Sequence, residues 1–151
     1  MSREHGGRRE SGIRTDDRMT QDFRQLLVWQ RAHKLTLAVY QVTKGFPREE
    51  LFGLTSQIRR AASSITANLA EGCGRGGRPE IARFAQIARG SGSELECHLL
   101  LARDLGYLSE PDHQKLATAL GGVERMLTSF RQTLITRTES RSHDSRLTTH
   151  D

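Results

Sequence analysis

The sequence predicts an all-α protein, an up-down-up-down four-helix bundle. Three observations carry this. Apolar residues recur at helical spacing over four long segments. The breaks between those segments are short and hold Gly and Pro. No segment shows the apolar/polar alternation of a half-buried strand. The apolar content is Leu, Ile, Val and Ala, with aromatics only 5% of the chain, which suits helix-on-helix packing.

Residues 1–20 are polar, Gly- and Arg-rich and without period, and read as a disordered extension. Met19 stands just before the first patterned segment and is an alternative start to Met1. The bundle domain is expected over residues 21–136. Asp22 is placed to cap its first helix, which runs to about Lys44 and stops at "GFP". Val28, Ala32, Leu35, Val39 and Val42 form one stripe of this helix, and Leu26, Trp29, His33, Leu37 and Tyr40 a second. Either the second stripe widens the core face or Trp29, His33 and Tyr40 mark an oligomer interface.

The second helix is expected from just after Pro47 to about Glu71. Leu51, Leu54, Ile58, Ile65 and Leu69 share its apolar face, and a polar stripe of Gln57, Arg60, Ser64, Asn68 and Glu71 runs beside it. Arg59 falls on neither and is expected to face solvent or a partner. Pro79 opens the third helix, with Glu80 at the positive end of its dipole. Ile81, Phe84, Ala88, Leu95, Leu99 and Ala102 form its core face, and Gly106 is the expected left-handed terminator. Ser109 caps the fourth helix, with Asp112 at the capping-box position. Its stripe is Leu116, Leu120, Val123, Leu127, Phe130 and Leu134. Residues 137–151 read as a disordered polar tail.

The net charge is +5, and the excess lies in the bundle rather than the tails. Residues 21–136 hold 15 Lys and Arg against 11 Asp and Glu. Arg59, Arg60, Arg75, Arg78, Arg83 and Arg89 face only Glu71 and Glu80. Such a cluster fits nucleic acid, or a set of solvated and salt-bridged arginines. No apolar run approaches the roughly 20 residues of a membrane span, so no membrane association is expected. Cys73 and Cys97 form no C-x-x-C pair, and two free thiols in a cytoplasmic setting are the simplest reading.

The stretch "AEGCGRGGRPE" spells G-x-G-x-x-G at Gly72, Gly74 and Gly77. A dinucleotide turn needs a strand before it; here a helix leads in. A Walker loop needs Lys followed by Ser or Thr after the glycines; neither follows. A helix–helix link remains, whose amides, with Arg75 and Arg78, can also hold an anion. Cys73 beside these arginines is a candidate for a lowered thiol pKa. Glu94 and His98 are spaced to share a metal, but further ligands are missing. Arg60 or Arg89 can pair with Glu94 or Glu96 across a helix contact. No catalytic constellation is assembled, so no enzyme activity, cofactor or metal is expected.

The runs "DFRQLLVWQRAHKL", "FPREELFGLTSQIRRAASSITANLAEGCGR" and "FAQIARGSGSELECHLLLARDLGYL" together resemble the small four-helix bundle proteins encoded in 23S ribosomal RNA intervening sequences. The resemblance covers about residues 21–135. The same superfamily includes the accessory variability protein of diversity-generating retroelements, a basic pentameric barrel that works with a reverse transcriptase and nucleic acid. The family's polar signature falls on Gln57, Arg59, Arg60, Asn68, Glu71, Gly72, Arg75, Arg89, Glu94 and Glu96. The resemblance implies a ring-shaped homo-oligomer, a pentamer, without catalytic activity. On this reading Arg59, Arg75, Arg78 and Arg83 contact RNA or DNA, and a reverse transcriptase or similar nucleic-acid-processing protein is a candidate partner. A structural oligomer or protein-interaction module without nucleic-acid binding is the alternative. Two departures stand out: "GGRP" replaces the Ser or Thr cap common in relatives, and Thr66 stands where proline is common, implying a less kinked second helix.

Overall fold

The computed structural model describes residues 22–147. The expected N-terminal extension, the alternative start at Met19 and residues 148–151 of the expected tail lie outside them. Among the described residues there are four α-helices and no strand: α1 Leu27–Thr43, α2 Leu54–Arg75, α3 Arg78–Asp104 and α4 Glu110–Leu147. Single 3-10 turns precede α1 (Phe23–Gln25) and α2 (Arg48–Glu50). Consecutive helices pack side by side, and α4 returns against α1 to close the bundle. The most extensive contact is α2 on α3.

The stripes read from the sequence form the core. Val39 from α1, Ile58, Ile65 and Leu69 from α2, Leu95 and Leu99 from α3, and Leu120 and Leu127 from α4 are fully buried. Hydroxyls tie α2 to its neighbours. Thr36 Oγ1 donates to Ala32 O at 2.9 Å and to Ala62 O at 3.3 Å, linking α1 to α2. Ser91 Oγ donates to Ser64 Oγ at 3.0 Å, linking α3 to α2. Asn68 donates to the Ser64 carbonyl and hydroxyl, keeping within its own helix.

Helix boundaries follow local chemistry, and four depart from expectation; one is the end of α2, which runs past Glu71 to Arg75. Asp22 caps the 3-10 turn, accepting from Arg24 N at 3.0 Å, and α1 begins only at Leu27. The second helix starts at Leu54 rather than just after Pro47. Gly53 breaks the chain there, and Glu50 Oε2 takes the Leu54 amide at 2.9 Å. Leu51, expected on the core face, is therefore exposed. Helix α4 continues to Leu147, past the boundary expected at 136. Residues 137–147 hold no Gly or Pro, and an established helix propagates at little cost.

The end of α3 is as expected. Gly106 has φ 80°, Tyr107 N donates to Ala102 O at 3.0 Å and Gly106 N to Arg103 O at 2.9 Å, a Schellman closure. Tyr107 then packs on Phe46 at 5.9 Å between ring centroids. Ser109 Oγ accepts from Asp112 N at 3.3 Å and opens α4.

Candidate nucleic-acid interface

The glycine stretch resolves into helix and turn. Gly72 and Gly74 lie inside α2, and only Gly76 and Gly77 separate α2 from α3. Their φ/ψ values, 75°/143° and 84°/146°, occupy a region that is essentially closed to residues with a Cβ. Two such residues suffice to reverse the chain. Gly72 has a different reason: a Cβ there would stand 2.8 Å from Phe84 Cβ and 3.2 Å from Ile81 Cα, so it sets how closely α2 and α3 approach.

This link gathers arginines. Arg75 pairs with Glu71 at 2.9 Å, and Arg83 with Glu80 at 3.7 Å. Their guanidinium groups each lie 5.1 Å from the ring centroid of Phe84, a cation–π geometry. Arg78, the first residue of α3, makes no ion pair among the described residues and joins Arg83 and Arg131 around a groove between α3 and α4. Arg131 was not singled out in the sequence. A signal existed, because counting outward from Tyr107 in an antiparallel pair sets Arg83 level with Arg131.

Arg59 is not part of this group and does not point away from the bundle. It is half-buried; its Nε donates to Thr43 Oγ1 at 2.9 Å, and its guanidinium covers the Tyr40 ring at 4.7 Å. Along α2 it is about 24 Å from Arg75 at 1.5 Å per residue. Helix periodicity missed this because Arg59 reaches sideways to α1. The expected pairing of Arg60 or Arg89 with Glu94 or Glu96 is not formed among the described residues. Gln57 and Arg60 are exposed, and Glu94 pairs with His98 at 3.4 Å.

Arg89 instead shares a groove with Glu124, a residue that lies outside the apolar stripes and the polar signature. Glu124 Oε1 is buried without a hydrogen-bond partner and packs where Gly92 leaves room. Burial pushes its carboxyl above the usual range, the nearby Glu96 adds to this, and Arg89 opposes it. The folded protein therefore holds this proton more tightly than the unfolded chain. Its contribution to stability falls as pH rises through the raised value. Glu124→Gln should stabilise the protein at neutral pH by on the order of 0.5 kcal/mol and lose that gain by about pH 4. Urea denaturation at both pH values checks it; an equal gain at both pH values would refute it.

The other chemical candidates dissolve. Cys73 is buried in the core, and burial, then Asp22, raises its thiol pKa rather than lowering it. Cys97 is exposed. His113 Nδ1 is buried and unpartnered like Glu124 Oε1, and the two residues, about three turns apart on one face of α4, line a single small cavity of about 80 Å³ with Glu96. No group of three or more His, Cys, Asp or Glu among the described residues could hold a metal. No described helix is long and apolar enough to cross a membrane.

On α1, Trp29 is half-buried and stacks on His33 at 4.8 Å, with Phe23 edge-on to it at 5.1 Å. Leu26 joins the core, whereas Leu37 and Tyr40 are exposed. The second stripe thus divides, its N-terminal part packing inward and its C-terminal part facing outward.

The model of the 23S rRNA-intervening sequence protein family matches residues 24–129, most of the described bundle. The chain belongs to that family. Among solved structures, a protein of unknown function from the S23 ribosomal protein family of Bacteroides thetaiotaomicron, a crystal structure at 1.70 Å, is similar to this intervening-sequence family member. The likeness has a TM-score of 0.65 and 21% sequence identity, covering 70% of this chain and 95% of that one, and it supports the shared fold. No curated protein matches the chain. The matched span of this family member ends at 129 and so leaves out Arg131 and the rest of α4.

Proposed function

We propose that this family member is a non-catalytic, ring-forming homo-oligomer that binds RNA or DNA phosphates through the arginines beside the Gly76–Gly77 turn. The observation that carries the reading is the convergence of Arg75, Arg78, Arg83 and Arg131 at one end of the α3–α4 pair, where among the described residues Glu71 pairs with Arg75 and Glu80 with Arg83. Ring assembly, with the pentamer as its form, would use the outward face of α1 at Leu37 and Tyr40 beside Trp29 and His33. A nucleic-acid-processing protein such as a reverse transcriptase is the partner class that fits this role.

Phosphate contacts release counterions, so affinity falls with salt by a slope of about 0.7 per contact on single strands. Changing Arg75, Arg78 and Arg83 together to Gln should weaken RNA binding at least about tenfold and flatten that slope by about 2. Arg59→Gln, remote from the turn, should leave binding intact. Fluorescence anisotropy across a salt series reads both quantities. Absence of salt-sensitive binding, or a triple variant that binds like wild type, defeats the proposal. The rival reading draws on the intramolecular holds on Arg59, Arg75 and Arg83, and makes the arginines structural. It predicts that the triple change alters the oligomer mass by light scattering while RNA affinity stays unchanged.

A further inference from the structure

The arginines of the turn do not stand over a flat polar surface. Between the first turns of α3 and residues 131–135 of α4 lies a groove of about 480 Å³. That volume falls in the range of small-ligand clefts, roughly 300–1,000 Å³. Its lining is mostly carbon, from Pro79, Ala82, Ile87, Leu134 and Ile135, with Gln86 as the one uncharged polar side chain among the described residues. Its rim carries Arg78, Arg83 and Arg131, and among the described residues no carboxylate lines it. Arg83 is held by Glu80 at 3.7 Å and by the face of Phe84 at 5.1 Å, both contacts that leave part of its guanidinium open. Arg78 and Arg131 make no ion pair among the described residues. Ile87 is 41% exposed, so its side chain is open to a ligand in the groove.

Contact with a duplex backbone needs cations and gains nothing from an apolar floor. A ligand that uses both must carry an anion and a flat or apolar surface within one small volume. An unstacked nucleotide has this form, since its base offers a wide face and its phosphate lies one sugar away. Guanidinium planes serve both parts, by stacking on bases and by pairing with phosphate.

We propose that this groove is a nucleotide pocket that selects single-stranded over double-stranded nucleic acid, with the base on Ala82, Ile87 and Ile135 and the phosphate on Arg78, Arg83 and Arg131. The proposal rests on the nucleic-acid reading above and sharpens it from a charged surface to a site for an unpaired base.

The test separates the two. Full-length protein is titrated with a short single-stranded RNA, an abasic strand of equal length and a duplex of equal phosphate count. Wild type should prefer the RNA strand over both others. Ile87→Asn, which leaves every arginine in place, should weaken single-strand binding about tenfold while duplex affinity and its salt slope stay the same. Ile135→Asn should act in the same direction, and circular dichroism melts confirm that both variants fold. Equal affinity for the three probes with a silent Ile87→Asn overturns the pocket and leaves phosphate binding standing. No binding of any probe overturns both. Binding of an acidic amphipathic peptide that Ile87→Asn abolishes, without single-strand binding, assigns the groove to a protein partner and also overturns the pocket.

Discussion

Gly72→Ala should destabilise the protein by about 2 kcal/mol, whereas Gly74→Ala, two residues on in the same helix, should stabilise it by about 0.5–1 kcal/mol. Both glycines lie inside α2, where Ala is intrinsically the better residue by about that margin. The difference is tertiary. A Cβ on Gly72 would stand 2.8 Å from Phe84 Cβ, 3.2 Å from Ile81 Cα and 3.4 Å from Glu80 O, and two of those atoms are main chain. Relief requires α2 and α3 to separate, and that loosens Leu69, Cys73 and Phe84 around the contact. A Cβ on Gly74 meets nothing within 4 Å. Chemical denaturation of the two variants is the check, and a shift of the same sign for both would refute the account.

Ile65→Ala should cost about 3–4 kcal/mol, the range for removing a large aliphatic side chain from a core that relaxes only partly. Ile65 is 0% exposed and lies midway along α2, the helix that packs on both α1 and α3. Phe52→Ala makes the contrast: it removes a larger side chain that is 94% exposed and should change stability by less than about 0.5 kcal/mol. Thermal and urea midpoints of the pair measure both. A near-neutral Ile65→Ala would mean that the bundle interior collapses around the deletion instead of retaining a cavity.

Stripe residues such as Ile58, Leu95 and Leu127 were legible in the sequence because helical spacing dictates which side chains share a face. The Gly106 terminator and the Ser109 cap were legible because their chemistry is local. Boundaries set by longer reach were not. The start of α2 depends on Glu50 bending back to the Leu54 amide, and α4 passes 136 because no breaker stops it. The candidate site was legible in part. Arg75, Arg78 and Arg83 fall together because the turn between two helices holds them together in any bundle. Arg59 was misplaced because a long side chain can cross to the neighbouring helix, and periodicity reports only where its Cα points. Arg131, Glu124 and His113 belong to α3–α4 contacts, which need the antiparallel register and not only the stripes. The expected activation of Cys73 failed because neighbours in sequence did not become neighbours in space: its arginines project from the turn while the thiol faces the core.

The two-residue link at Gly76–Gly77 has a kinetic consequence. It is the shortest connection in the bundle and joins the two helices that pack most extensively. Closing a short loop costs less chain entropy than closing a long one, so the α2–α3 hairpin gains the most contact for the least ordering. Nucleation is expected there, with α1 and α4 adding to a hairpin already in register. On that expectation, truncations at the α2–α3 contact slow folding, whereas those on α1 and α4 mainly speed unfolding, which stopped-flow chevrons would read.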